Sequence, residues 1–340
     1  MSAPEYEIGR VVAGDAAAIA AAAVRMRDQP VDLERLHDGP YPFSKWHTTI
    51  GSTQSVSGHA TFSPRNSTLT FSPTREDGWW IRRTDQKEQF PFKVSVRNVW
   101  TTARNIVLRC GNPHNYLRMV EHIVALRVGM GVDSLLIETD SGDPPLFDRG
   151  NLDLVEAIEK AGIVETDAPA RFITVKEPVT FGGNRGDFLT FLPAKPGECG
   201  LRVDCAIDFP SVIGRQRIRF DVTPETFRIG AEARTNAPSK EYWYAKTVGK
   251  LFADTRNLGY TRRNILVHGK TKYLNEPKLV FGGKALEAVW HRATLDLLAA
   301  VALLDTGRFA GTLVSYRAGH TQDVRMAGLL YLNDLLVPHG

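Results

Sequence analysis

Histidine and carboxylate side chains of the types that hold a catalytic metal stand in two distant parts of the sequence. Glu121 and His122 are adjacent in the first part, and His291 and Asp296 lie in the second half of the chain. Two histidines and a carboxylate are typical ligands of an open zinc site, and Glu121 and His320 then remain for proton transfer. Because both halves contribute, such a site must lie where the halves meet. The pattern predicts an enzyme.

The Glu121-His122 pair is predicted to lie within a helix, which gives its two members different roles. Adjacent helical residues point about 100° apart, so one can bind a metal while the other faces a metal-bound water. We therefore expect His122 to be a ligand and Glu121 to be a general base. For this pair alone, a solvated glutamate beside a half-buried histidine is the commoner arrangement.

His291 and Asp296 are five positions apart, and a regular helix would direct them about 140° away from each other. A single π-turn between them would absorb the extra residue and restore a shared face, and such turns are frequent at functional sites. The alternative is that Asp296 faces solvent or caps a neighbouring group, and the spacing leaves both open. His320 follows a predicted strand and enters the predicted turn 321–323, where it is a candidate acid or a surface histidine.

Composition indicates a cytoplasmic protein. The 340 residues are 43% apolar and 24% charged, with a net charge of +4 that we expect to be spread along the chain, so no nucleic-acid partner is predicted. The three cysteines form no CxxC pair, which suits a reducing compartment, and we expect them to be small core residues. The Ala-rich run 16–24 after Asp15 reads as a capped helix too short to span a bilayer. We favour a monomer with at most peripheral membrane contact.

Strand and helix patterns echo each other in the two halves. In the first half, strands are predicted from 46 to about 105 and at 134–138, with helices at about 115–128 and 152–161. In the second half, strands are predicted at 172–175, 187–191, 201–209, 216–222 and 311–316, with helices from 224, at about 285–304 and up to about 336. We predict an α+β fold of two similar domains, 46–166 and 170–340, each a layered sheet with helices, the helices sandwiched between the sheets. Residues 1–45 are predicted to be an N-terminal extension.

The chain resembles the UDP-3-O-acyl-N-acetylglucosamine deacetylases, a family of zinc amidases of lipid A biosynthesis. The resemblance covers nearly all of the chain from about residue 48 and rests on these segments: Gly58-His59, Arg82-Arg83-Thr84-Asp85, Val120-Glu121-His122-Ile123, Ala233-Arg234-Thr235, Tyr273-Leu274-Asn275-Glu276 and Tyr316-Arg317-Ala318-Gly319-His320. One difference is that the family's second metal helix has its His and Asp four apart. An ungapped match would put Arg292 on the ligand position, and an arginine cannot bind zinc. In that register Ala300 replaces a second family Asp, which orients the catalytic histidine.

The resemblance implies a role for each candidate residue. His122, His291 and Asp296 would hold Zn²⁺. Glu121 would be the base that deprotonates the metal-bound water, His320 would protonate the leaving amine, and Thr235 would help to hold the oxyanion. Substrate-binding roles would fall to three further residues: His59, Lys176 and Arg292.

The predicted function is that of a zinc-dependent N-deacetylase, an amide hydrolase acting on an acylated UDP-N-acetylglucosamine-type sugar nucleotide in lipid A biosynthesis. One alternative is a paralogue with a different N-acyl sugar as its substrate. The other is a catalytically silent relative that binds a sugar nucleotide and regulates or scaffolds.

Overall fold

The helices of this computed structural model, which describes residues 6–88, 90–251 and 259–340, are mostly short. They are α1 (Ala16–Arg27), α2 (Glu121–Gly129), α3 (Leu152–Ala161), α4 (Pro224–Ala231), α5 (Ser239–Lys246), α6 (Glu287–His291), α7 (Leu297–Ala302) and α8 (His320–Leu332). A π-helical segment, Arg292–Asp296, joins α6 to α7. Single 3₁₀ turns occupy Val96–Asn98 and Val248–Leu251.

Strands account for most of the remaining regular structure. Those of the first half are β1 (Arg10–Ala13), β2 (Leu33–Arg35), β3 (Trp46–Ile50), β4 (Gln54–His59), β5 (Asn66–Ser72), β6 (Trp79–Arg83), β7 (Phe92–Lys93), β8 (Val99–Thr101), β9 (Val107–Arg109), β10 (Tyr116–Leu117), β11 (Leu135–Thr139) and β12 (Ile163–Pro169). Those of the second half are β13 (Phe172–Val175), β14 (Val179–Gly182), β15 (Phe188–Pro193), β16 (Leu201–Phe209), β17 (Gly214–Asp221), β18 (Thr235–Pro238), β19 (Ile265–His268), β20 (Val280–Phe281), β21 (Lys284–Ala285), β22 (Arg308–Phe309), β23 (Gly311–Tyr316) and β24 (Leu336–His339). The mixed α/β character predicted from the sequence is confirmed.

Two larger sheets dominate the architecture. The first has the strand order β4-β5-β11-β6-β7, and the second has the order β1-β14-β15-β23-β16-β17-β2. Helices α2 and α7 pack against each other, and α7 also contacts α8. One buried cluster runs through both halves and includes Trp79, Ile123, Trp290 and Leu298. Apolar burial on this scale is the main favourable contribution to folding, so the halves are stabilised together where α2 meets α7.

The N-terminal segment is part of the second sheet. Strand β1 pairs in parallel with β14, and β2 pairs in parallel with β17, so this segment supplies both edges. Helix α1 begins after Asp15, whose carboxylate accepts a hydrogen bond from the Ala18 amide at 2.7 Å, which confirms the predicted cap. The buried side chains of Ile19 and Met26 pack on the sheet. The segment predicted to be an extension therefore completes a sheet built mainly by the second half.

A buried ion pair connects the same segment to the sheet. Arg217 and Asp204 are 1% and 0% exposed and approach to 2.8 Å. The Arg217 guanidinium also donates to the carbonyl oxygens of Met26 and Gln29, and the Tyr6 hydroxyl donates to Asp204. A buried charge needs such partners, and here residues before β2 provide three of them.

Several predicted boundaries differ from the structure. The helix predicted from about 115 begins at Glu121, because Tyr116–Leu117 pairs with β9 and Met119 adopts a φ of 50°, which is not helical. The last helix ends at Leu332, short of about 336, and Asp334 turns with a φ of 50° into β24. Residues 321–323, predicted as a turn, form the first turn of α8.

Two further expectations concern membranes and cysteines. Within the described ranges, no helix has the length and apolar character that crossing a bilayer requires. Cys205 is buried, as expected of a small core residue, and burial raises the pKa of its thiol to about 12. Cys110 is exposed and Cys199 is half-buried, so the prediction of core positions is wrong for these two.

Candidate active site

Two histidines from opposite halves converge on one hydroxyl group. His122 is the second residue of α2, His291 is the last residue of α6, and Thr235 begins β18. The Thr235 hydroxyl oxygen lies 3.2 Å from His122 Nε2 and 3.0 Å from His291 Nε2. The ring centroids of the two histidines are 5.3 Å apart. The structure therefore brings the two predicted nitrogen ligands and the predicted oxyanion residue to one point between the halves.

The π-helical segment directs His291 towards that point. The Leu297 amide donates to the Arg292 carbonyl, five residues earlier, so the π-type bond predicted to absorb the extra residue before Asp296 is confirmed. A carboxylate oxygen of Asp296 then lies 3.9 Å from His291 Nδ1. The extra residue is absorbed within one turn, and His291, not Arg292, faces Thr235.

Arg292 is directed to the other side of the helix. Its guanidinium forms two close contacts with the Asp323 carboxylate, at 2.7 Å each, and donates to the Ala318 carbonyl at 2.7 Å. Burial alone would lower the pKa of Arg292, but the charge of Asp323 raises it above its ordinary value. Asp323 is fully buried in α8. The described contacts of Arg292 thus attach α8 to the π-helical segment.

Glu121, the residue before His122 in α2, is also buried. It is 4% exposed, and its Oε2 accepts a hydrogen bond from the Ile106 amide at 2.9 Å. Burial, together with the nearby charge of Asp296, raises the pKa of Glu121 to about 8. A carboxyl group that titrates near neutral pH is typical of general acid–base residues.

His122 is held on its far side by Asn151, a residue that the sequence analysis missed. Asn151 Oδ1 lies 3.1 Å from His122 Nδ1, and its amide nitrogen donates to the His122 carbonyl. With Nδ1 donating to Asn151, Nε2 carries the lone pair that faces Thr235, an assignment that follows from the hydrogen-bond network. Burial, together with the charge of a protonated His291, lowers the pKa of His122 to about 4. The imidazole is therefore neutral, as a metal ligand must be.

His320 is the first residue of α8 and is half-buried. Its Nε2 lies 2.9 Å from the Thr102 carbonyl oxygen, which can only accept, so this nitrogen donates. The Thr321 hydroxyl donates to the same carbonyl. Burial lowers the pKa of His291, and a positive charge on His320 lowers it further. His320 therefore lies near enough to His291 to affect its charge, and Thr102 is a second contact that the sequence analysis missed.

No contact of the described residues joins His59 or Lys176 to this group. His59 ends β4, where it is exposed opposite Asn66 of β5. Lys176 follows β13, and its ammonium group pairs with the Asp334 carboxylate at 2.8 Å. Both side chains are open to solvent and available to a ligand.

The donor set fits a metal in part. Two neutral imidazole nitrogens on one point suit zinc, whereas Asp296 approaches His291 from Nδ1, the ring nitrogen that does not face Thr235. In this arrangement of the described residues, no three His, Cys, Asp or Glu side chains form a group able to hold an ion.

Comparison with known proteins identifies the family of this chain. A model of the UDP-3-O-acyl N-acetylglycosamine deacetylase family matches residues 47–331. The chain belongs to this family. Proteins named UDP-3-O-acyl-N-acetylglucosamine deacetylase from Brucella ovis, Brucella canis and Brucella abortus are each 29% identical to it over 280 residues, 81% of this chain and 91% of the relative. The family match includes every candidate site residue and begins after β1, α1 and β2.

Proposed function

We propose that this protein is a zinc-dependent amide hydrolase that removes the N-acetyl group of an acylated UDP-N-acetylglucosamine in lipid A biosynthesis. The observation that carries the proposal is the convergence of His122 Nε2 and His291 Nε2 on the Thr235 hydroxyl, in a chain of the deacetylase family. The relatives are named for an acylated UDP-N-acetylglucosamine, which supplies the substrate class of the proposal.

His122, His291 and Asp296 would hold the metal. Zinc bound there would polarise the amide carbonyl and lower the pKa of a bound water towards about 7. Two observations support this assignment: both imidazoles have lowered pKa values and are neutral, and the π-type bond keeps His291 and Asp296 on adjoining turns.

Glu121 is proposed to take the proton of the attacking water. The Ile106 amide holds Oε2, which leaves Oε1 for the proton. A pKa raised by burial makes the carboxylate a stronger base than a solvated glutamate, and it lies next in sequence to a proposed ligand. Thr235 lies between the two histidines and is proposed to donate its hydroxyl hydrogen to the oxyanion of the tetrahedral centre.

His320 is proposed to protonate the departing amine. In its protonated form it donates from Nε2 to the Thr102 carbonyl, and Nδ1–H is left for the substrate nitrogen. The Arg292 guanidinium donates hydrogen bonds to the Ala318 carbonyl, which precedes His320 in the sequence, and to the Asp323 carboxylate, which follows it. We therefore propose that Arg292, which is buried and paired with Asp323, positions His320 instead of binding substrate, and takes over the structural task that an acidic residue at position 300 would perform.

Two exposed residues are proposed to bind the substrate. His59 and Lys176 are exposed polar groups that could contact the sugar nucleotide, and a lysine suits a phosphate. Each half would contribute one larger sheet and one helix with a histidine ligand, as two similar layers around the site. The expected partner is a small acylated UDP-amino sugar, met by a monomer in the cytoplasm.

The test is a free-amine assay on UDP-3-O-acyl-N-acetylglucosamine with zinc-loaded protein. We expect amine release that a chelator abolishes and that zinc restores. His291→Ala should lose zinc and activity together. His268→Ala should keep zinc, because His268 is buried at the opposite end of the β18–β19 pair from Thr235. Tight sugar-nucleotide binding with no amine release from a zinc-loaded sample would overturn the proposal in favour of a silent binder.

A further inference from the structure

The outer face of α5 and of the turn after it exposes large apolar side chains. Trp243 and Tyr244 are 50% and 44% exposed, and Val248 and Leu251 are 52% and 83% exposed. The inner face of the helix is buried, with Tyr242 packed on β19. These four exposed residues, called the α5 surface, lie on α5 and on the 3₁₀ turn that follows it, and packing of Tyr242 fixes the orientation of the helix.

Positive charge is concentrated around the α5 surface. Residues 239–251 and 259–273 contain seven Lys or Arg and one Asp or Glu, a net charge of +6, against +4 for the whole chain. The expectation that the charge is spread along the chain is therefore wrong for this region. The Arg262 guanidinium lies 5.7 Å from the Trp243 ring centroid. Lys240 and Lys272 are exposed as well, and Arg263, also exposed, lies 3.7 Å from the Asp148 carboxylate.

We propose that the α5 surface is a peripheral docking site for an anionic lipid bilayer. Trp and Tyr rings are favoured at the level of lipid headgroups, aliphatic side chains enter the acyl boundary, and surrounding Lys and Arg are attracted to anionic lipids. A phosphate backbone has no apolar surface that could contact the exposed Val248 and Leu251, so a nucleic acid is disfavoured as the partner. A second copy of the chain docked on this surface would bring two sets of Lys and Arg side chains together, and like charges oppose that contact.

The α5 surface is close in sequence to the candidate active site. Thr235, which contacts both histidines, begins β18, and α5 follows directly after Pro238. A strand of this length spans about 13 Å at about 3.3 Å per residue. Docking would therefore place the site within a short distance of the bilayer surface. The proposal is independent of catalysis, because it is tested by binding alone.

The experiment measures flotation of the full-length protein with phosphatidylcholine vesicles, with and without phosphatidylglycerol. We expect binding to the anionic vesicles that weakens as salt is raised. The double variant W243S/L251S should bind the anionic vesicles about tenfold more weakly or worse, since its apolar contact area is lost. K240E/K272E should lose the preference for anionic over neutral vesicles.

The matched control is the double variant W46S/L332S. Trp46 is 48% exposed and Leu332 is 83% exposed, which closely matches Trp243 and Leu251. We expect this control to bind vesicles as the parent protein does. The proposal is overturned if the parent does not float with anionic vesicles, or if both double variants lose binding equally. It is also overturned if the α5 variant instead dissociates a dimer seen by sedimentation, or if short RNA binds the parent as tightly as the anionic vesicles do.

Discussion

Asn151 holds His122 from two sides, and this contact leads to a prediction at the scale of a single residue. Its carbonyl oxygen faces Nδ1 and its amide donates to the backbone of the same histidine. Partners that fix the orientation of a ligating histidine contribute about 10- to 100-fold in metal affinity. We expect Asn151→Ala to weaken zinc binding by about that factor while the protein stays folded, as measured by competition with a chromophoric chelator.

A control for Asn151 is available on the surface. Asn333 donates from its side chain to the Leu329 carbonyl at the end of α8 and is exposed. Asn333→Ala should leave zinc affinity unchanged. Equal affinities in the Asn151 variant and the parent protein would show that His122 is not a ligand oriented by this amide.

Residue types alone allowed the sequence analysis to find the histidines and Glu121, since few side chains bind zinc or move protons. Asn151 and Thr102 were not predicted. An asparagine before a helix is common for reasons of capping, and Thr102 contributes only its backbone carbonyl, which every residue has. Contacts of this kind become visible only when the fold brings distant segments together.

At the scale of the elements, the π-helical segment leads to a second prediction. Removing one residue from it would leave His291 and Asp296 four positions apart, which is a shared face of a regular helix. We expect deletion of Ala293 to preserve the fold and zinc binding. Deletion of Ala299, equally buried but within regular α7, should rotate the residues after it by about 100° and cost about 3 kcal/mol or more.

The two deletion variants are compared by thermal unfolding and by zinc content. If deletion of Ala293 is as damaging as deletion of Ala299, the π-type bond is not a local accommodation of one extra residue. The sequence permitted the prediction of this bond because the five-residue spacing conflicts with a regular helix. It did not permit the start of α2 to be predicted, because nothing in the residue types shows that Met119 has a positive φ.

At the scale of the whole molecule, the N-terminal segment is expected to be essential for stability. Met26 of α1 is 2% exposed against the second sheet, whereas Val24 of the same helix is 45% exposed. Met26→Asp would bury a charge without a partner and should lower the free energy of unfolding by about 3 kcal/mol or more. Val24→Asp should change it by about 0.5 kcal/mol or less. Similar urea midpoints for the two variants would contradict the packing of α1 on the sheet.

A second whole-molecule prediction concerns an ion pair between the two halves. Asp77 contacts Arg171 at 2.5 Å and Lys93 at 3.7 Å. Burial opposes ionisation, but the hydrogen bond and charge of Arg171 lower the pKa of Asp77 below its ordinary value of 3.8. Its contribution to stability is therefore present above pH 3.8 and is lost as pH falls through the lowered pKa.

The expected result is a difference in the slope of stability against pH. Below pH 4, Asp77→Asn should lose stability less steeply than the parent protein, in unfolding curves recorded as the pH is lowered. Asp167→Asn, at an exposed position, should follow the parent curve. Parallel curves for the parent and the Asp77 variant would show that the pair does not connect the halves in solution.

The overall mixed α/β character and the meeting of two halves at the site could be predicted from the sequence, because strand and helix patterns alternate in both halves. The role of residues 10–35 could not be predicted, because strands of three or four residues have no distinctive pattern. Their position in the sheet is determined by pairing with β14 and β17.

The most direct test of the account combines zinc content and turnover in Glu121→Gln. The substitution keeps the size of the side chain and one hydrogen-bonding oxygen for Ile106, but an amide cannot take up the proton of the water. We predict that the variant binds zinc as the parent does, while turnover on UDP-3-O-acyl-N-acetylglucosamine falls by about 10² or more. Undiminished turnover in a zinc-loaded Glu121→Gln sample would contradict the central claim that Glu121 is the base beside a metal held by His122 and His291.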